Sequence, residues 1–236
     1  MSSRQEEKER RRLERQAREQ AEASKAANKR RLQLVAGGVL ALAAIAAVIA
    51  AVVSGGGGGG SSKASADYVN ASLPAKKISD FDAAVKAAGC TFKTYPSEGR
   101  THLPSDSAVN NKYKTNPPTS GDHRPTPAQD GVYAPGNSPD KENAVHALEH
   151  GRIELEYKKG ASKQVQGQVN ALFNEKLKGV EGYHKLMFEN NTNMPFEVAA
   201  VAWTQLLGCP TMNAQVPDAI RAFEDRFVNK GPEIIP

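Results

Sequence analysis

The chain has 236 residues, with 31 basic and 26 acidic side chains and a formal charge of +5. The excess sits at one end: residues 1–33 carry eleven Lys or Arg and six Glu, so the remaining 203 residues carry twenty of each sign. That neutral remainder shows no basic face interleaved with aromatics, which sets nucleic acid aside as a partner, and its length beyond the N-terminal third suits one hydrophobic core and not two.

Within residues 1–33, Glu6/Arg10, Glu7/Arg11 and Glu14/Arg18 stand at i,i+4 spacing, compatible with a solvated helix steadied by weak ion pairs. The segment is expected to act as a basic cytoplasmic topology determinant drawn to anionic headgroups. Residues 34–53 follow without one charged or polar side chain: ten Leu, Ile or Val, eight Ala and two Gly. At about 1.5 Å rise per residue such a helix crosses a hydrocarbon layer of ~30 Å once. An anchor is favoured over a cleavable signal peptide, because more than thirty residues precede the apolar run and no clear small-x-small cleavage site stands before Gly55. The basic cluster lies before the span, and Lys63 is the only cation shortly after it. The N-terminus is therefore expected in the cytoplasm and the C-terminal domain outside, on a single-pass protein of the cell membrane whose lipid partner is met through residues 34–53. Residues 54–66 form a Gly/Ser-rich linker with six consecutive glycines, a short flexible tether. The globular domain is assigned to residues 67–236.

Ser79 is placed to cap a helix whose Phe81, Ala84, Val85 and Ala88 share a face, with Gly89 ending it. From Glu98 to Asp140 the chain is dense in Pro, Asn, Ser and Gly and predicts mostly ordered loop. Ile153, Leu155 and Tyr157 alternate with Arg152, Glu154, Glu156 and Lys158, the pattern of a half-buried strand. Val165, Val169, Leu172 and Phe173 then recur at helical spacing up to Gly179. Two strand candidates, His184 to Phe188 and Val198 to Leu206, precede a last helix carrying Ile220, Phe223 and Phe227. The expected fold is α+β: one small extracytoplasmic domain with a short antiparallel or mixed sheet, two to three helices and long ordered loops, after one transmembrane helix.

The only cysteines, Cys90 and Cys209, both fall in the part expected outside, where thiols are oxidised, and a disulfide between them is predicted. Thiolate ligation of a metal is the alternative, weakened because no Cys-x-x-Cys spacing is present.

Five histidines occur: His102, His123, His146, His150 and His184. His102 and His123 sit in the loop-rich stretch. His146 and His150 are four apart in Val145-His146-Ala147-Leu148-Glu149-His150-Gly151-Arg152, so on a helix or on a strand both imidazoles share one face. These residues, with Asn116-Pro117-Pro118-Thr119-Ser120-Gly121, Gly131-Val132-Tyr133 and Asn193-Met194-Pro195-Phe196 before Trp203, carry a resemblance. Over roughly residues 80 to 230 the chain resembles the bacterial membrane-anchored family called domain of unknown function 3105. The resemblance implies one exported α+β domain and assigns no chemistry.

The first functional expectation is a metal site, copper by preference, built from His102, His123, His146 and His150 with Met194 as a softer ligand, since imidazole with thioether favours copper over zinc, calcium or magnesium. Fixed φ at Pro117, Pro118 and Pro125 would limit the entropy lost in holding loop histidines. The second is a zinc-dependent hydrolase, because His146-Ala147-Leu148-Glu149-His150 fits H-x-x-E-H, with Glu149 as catalytic residue. That reading needs a helix here and a downstream carboxylate ligand. The third is a metal-free envelope binding or scaffold module in which Glu149 and the histidines form a closed hydrogen-bond network. The protein partner, if any, is not specified by the sequence.

Overall fold

The computed structural model describes residues 68–104, 112–233 and 235. The basic segment, the span over residues 34–53 and the linker lie outside the described residues. Among those described, no helix is long and apolar enough to cross a membrane.

The described residues form a six-stranded mixed sheet with four helices, more than the two to three expected, because Lys141–Glu149 is also helical. Helix α1 (Phe81–Ala88) leads into β1 (Thr91–Thr94), and after a long loop come β2 (Gly131–Val132), α2 (Lys141–Glu149) and β3 (Ile153–Tyr157). Helix α3 (Lys163–Asn174), the small hairpin β4 (Lys176–Leu177) and β5 (Val180–Glu181), then β6 (Lys185–Glu189), β7 (Val198–Ala202), β8 (Gln205–Cys209) and α4 (Val216–Phe227) complete it. The strand order is β1-β8-β7-β3-β6-β2. β3 pairs parallel with β6 and antiparallel with β7, so the parallel half joins the antiparallel half at β3.

Local chemistry sets the helix ends. Asp80, one residue beyond the expected Ser79, caps α1 by accepting from the Ala83 N–H at 2.8 Å, and Gly89 closes it at φ 66. Ser162 caps α3 through the Val165 N–H. α3 stops at Asn174, short of Gly179, which takes φ 84 in the turn of the β4/β5 hairpin. The stretch Val198 to Leu206 is a hairpin and not one strand: Trp203 and Thr204 make the turn, with Thr204 at φ 63.

Helices cover both faces of the sheet. On one, Phe81, Ala84, Val169, Leu172, Ile220 and Phe223 from α1, α3 and α4 pack on Ile153, Leu155, Tyr157, Val198 and Leu207. On the other, α2 lays Ala144 and Ala147 against Leu186 and Phe188, and Leu148 against Ala199, Val201 and Leu206. This second layer overturns the expected half-buried β3: every residue of the strand is buried, including Glu154 and Glu156 at 2% exposure.

Both carboxyls are held in protonatable form by that burial. Burial pushes Glu156 up to about 7, against a hydrogen bond from Asn190 Nδ2 at 2.6 Å, and Glu154 is held well above the usual carboxyl range by burial and by the charge of Glu156. A carboxyl whose folded pKa lies above its unfolded value stabilises the fold at low pH and loses that contribution as pH rises from about 4.5 to about 7. Against the isosteric Glu156→Gln, the wild type is therefore expected to lose stability across this window, on the order of 3 kcal/mol in all. Urea midpoints of both proteins at pH 5 and pH 8 measure it; a constant difference would refute the protonated pair.

Candidate metal centre

The histidines are assembled by two devices. The first is a parallel bridge between His102 and His123, in which the Leu103 N–H donates to the His123 carbonyl at 2.7 Å and the His123 N–H to that of Thr101 at 3.0 Å. Their side chains emerge side by side, ring centroids 5.1 Å apart. The loop behind them is pinned by its own polar groups: Ser120 Oγ accepts from the Glu98 N–H, the Tyr113 hydroxyl donates to the Asp122 carbonyl, and the Thr204 N–H donates to the carbonyl of Thr119. At Gly121, φ 132, a Cβ would meet the Tyr113 ring at 2.7 Å, so only glycine lets that ring approach.

The second device is α2, whose helical geometry puts His146, Glu149 and His150 on one side. α2 ends in a Schellman motif: the Gly151 N–H donates to Leu148 O at 2.9 Å and the Arg152 N–H to Ala147 O at 3.1 Å, with Gly151 at φ 76. β3 then starts at once at Ile153, so the motif also locks α2 to the central strand.

Together these bring His102, His123, His146 and Glu149 into one group whose ligand atoms all lie within 4.8 Å of one another. Ligands on a tetrahedral ion with bonds near 2.0–2.1 Å stand about 3.3 Å apart. His123 Nε2 lies 3.0 Å and His102 Nε2 3.8 Å from Glu149 Oε2, bracketing that spacing. His123 and Glu149 are buried, whereas the His102 side chain is 47% exposed, so the group opens to solvent on one side.

The orientation of each ring is fixed from behind. His123 Nδ1 is 2.7 Å from the Gly121 carbonyl and His146 Nδ1 is 2.6 Å from that of Arg124. A carbonyl can only accept, so each Nδ1–H donates, and in the neutral ring Nε2 is the atom left to bind an ion. This is the arrangement in which metal-binding imidazoles are held by their outer partners. Burial, helped by the neighbouring imidazoles and opposed by the Arg124 carbonyl, lowers His146 to about 4 and keeps its ring neutral. His150 is lowered by burial and by the charge of Arg152.

One contact calls for a positive charge. His123 Nε2 lies 3.0 Å from Glu149 Oε2, both atoms are buried, and the two form an ion pair only with a proton on the ring. With the ring neutral, two acceptors face each other in a dry interior, which is costly unless a bound cation lies between them.

Of the other expected ligands, His150 stands at the edge, its Nε2 3.0 Å from that of His146. Met194 lies in the apolar cluster with Leu148, Ala199, Val201 and Leu206, and the polar group has the Glu149 carboxylate as its fourth donor. His184 is elsewhere, bonded to Asn229 Oδ1 and stacked on Tyr183. The cysteines form the Cys90–Cys209 disulfide, which removes thiolates from consideration. On the sequence alone Glu149 stands as a catalytic residue or as a member of a hydrogen-bond network; its i+3 position after His146 on a helix is the signal for a ligand. Glu233, 3.5 Å from His150 Nε2, was not anticipated.

Neither a curated protein nor a solved structure matches the chain. A family model does, over residues 102–234, more than half of the length and with every one of these donors inside it. The chain belongs to the family described as Protein of unknown function (DUF3105).

Proposed function

We propose that this is a membrane-anchored, extracytoplasmic metal-binding protein whose ion is held by His102, His123, His146 and Glu149. The observation that carries the proposal is the convergence of four ligand atoms within 4.8 Å of one another, with the buried His123 Nε2 3.0 Å from Glu149 Oε2. An ion between these two would be bonded by both. Three imidazoles and a carboxylate suit a divalent first-row transition ion, and not calcium or magnesium. The preference for copper rested on the thioether of Met194; with a carboxylate in that place, copper(II) and zinc are both well matched, copper by intrinsic affinity. The disulfide supports an extracytoplasmic site, since such bonds persist in oxidising compartments, and the twenty-residue apolar run supports the anchor.

The helical His146-Ala147-Leu148-Glu149-His150 segment meets one condition of the hydrolase reading. Against that reading, Glu149 is nearly solvent-free and stands among the ligand atoms, where a base activating a water would need room for it. The scaffold reading needs a proton to close the buried His123 Nε2–Glu149 Oε2 pair, whereas an ion would engage His102 and His146 as well.

The test is elemental analysis of the full chain, purified in detergent without a histidine tag. A stoichiometric first-row ion is expected in the wild type, lost in His123→Ala and kept in Met194→Leu, a volume-conserving change. Loss in Met194→Leu would restore the thioether site. Peptide cleavage abolished by Glu149→Gln would favour the hydrolase, and no ion under any loading condition would leave the scaffold.

A further inference from the structure

The group described above is bordered by another. Glu149, His150 and Glu233 also offer ligand atoms that all lie within 4.8 Å of one another. His150 Nε2 is 3.5 Å from Glu233 Oε2, and the two groups meet at the 3.0 Å contact between His146 Nε2 and His150 Nε2. Glu149 belongs to both. Resting on the metal-binding reading, we infer that Glu149, His150 and Glu233 form a second divalent-ion site, and that the Glu149 carboxylate bridges the two ions of a dinuclear centre.

Three features point this way. First, Glu149 is almost fully buried, and its Oε2 faces the imidazoles of His123 and His102, at 3.0 and 3.8 Å, which are ligands of the first ion. A carboxylate has two oxygens, enough to give one to each ion, and bridged pairs of ions stand about 3.5–4 Å apart. Second, His146 uses its Nδ1–H on the Arg124 carbonyl, so its Nε2 accepts from the His150 Nε2–H at 3.0 Å, and an ion on either side would take the place of that shared proton.

Third, the end of the chain is tied back to α2 by its backbone. The Asn229 N–H donates to Gly151 O at 2.8 Å and the Glu233 N–H to Glu149 O at 3.0 Å. Arg152 Nη1 reaches both His150 O at 3.1 Å and Ile235 O at 2.7 Å, while its Nε pairs with Asp130. A Cβ at Gly231 would overlap the carbonyl of Glu149, and one at Gly151 would meet Asn229 Cα at 2.8 Å. Both glycines thus permit the close return that carries Glu233 to the site. Glu233 itself is half-exposed, which gives the second ion an approach from solvent.

The test uses the full chain in detergent, without a histidine tag, loaded with zinc chloride for elemental analysis and with copper(II) sulfate for electron paramagnetic resonance. The wild type is expected to hold two ions per chain, with the copper signal per ion depressed by coupling through the bridge. Glu233→Gln, a surface change compatible with folding, is expected to hold one ion and to give the full signal of isolated copper. One ion in both proteins, lost in His102→Ala, would overturn the second site and leave the first. Two ions in Glu233→Gln would remove Glu233 as a ligand and overturn the inference. No ion in either would overturn the metal-binding reading as well.

Discussion

Replacing both members of the Cys90–Cys209 bond by alanine is expected to lower the stability of the domain by about 5 kcal/mol, the chain-entropy value for a loop of this size. The bond closes 119 residues of sequence. In the folded state it is well supported without the covalent link: Cys90 directly follows the glycine cap of α1, and Thr91 is already in register with Gly208 on β8. The loss is therefore expected to arise in the unfolded chain, which gains conformations when the loop opens. Alanine is the suitable replacement because Cys209 is buried, and a serine hydroxyl there would add its own desolvation cost. Domains of this size are stable by about 5–15 kcal/mol, so the double variant should stand near its unfolding midpoint at room temperature or fall by about 2 M in urea. Equilibrium urea unfolding of wild type and variant measures it. A difference below about 1 kcal/mol would show that the loop is already constrained in the unfolded protein.

How far the sequence could be read depends on whether the decisive force was local. Capping and turn chemistry are local: α1 was placed to within one residue, because Ser79 and Asp80 both precede the same apolar run and only geometry chooses between them. The β7/β8 hairpin was missed because Trp203 and Thr204 carry no turn signature, and Thr204 is held at positive φ by the pairing of the strands around it. The error at β3 is of a different kind. Glu154 and Glu156 alternate with apolar residues as solvated carboxylates would, and nothing in the pattern reveals that α2 lies over them.

The same distinction runs through the site. His146 and His150 were legible as a pair because four-residue spacing shares a face on either backbone. His102 and His123 were legible only by residue type; the bridge that joins them links positions 21 apart through loop backbone. Met194 has the chemistry of a soft ligand, but packing against Leu148 and Leu206 decides where it sits. Glu233 had no local mark at all. It reaches His150 because a glycine-bearing segment after α4 bonds to the carbonyls of α2, a tertiary event with no periodicity.

If an ion is held where the lone pair of His123 meets Glu149, removing it must cost stability, and the size of that cost is calculable. A ligand that binds the folded and not the unfolded chain stabilises by RT ln(1 + [L]/Kd), about 2.7 kcal/mol at a hundredfold excess over Kd. For a domain of this length each kcal/mol moves the thermal midpoint by about 2–4 °C, so zinc or copper(II) at that excess is expected to raise it by about 5–10 °C, reversed by a chelator. The ion-free protein must keep a carboxylate with 2% side-chain exposure among imidazoles. Two variants separate this from unspecific binding. His102→Ala removes a half-exposed ligand with little effect on packing, so its ion-free midpoint should stay near that of the wild type while the metal-induced rise shrinks. Glu149→Gln gives His123 Nε2 a neutral amide donor in place of a facing acceptor, so its ion-free midpoint should rise above the wild type while the response to metal disappears. A rise of equal size in all three proteins would place the ion elsewhere, and an ion-free Glu149→Gln less stable than the wild type would show that the carboxylate is already satisfied without a cation.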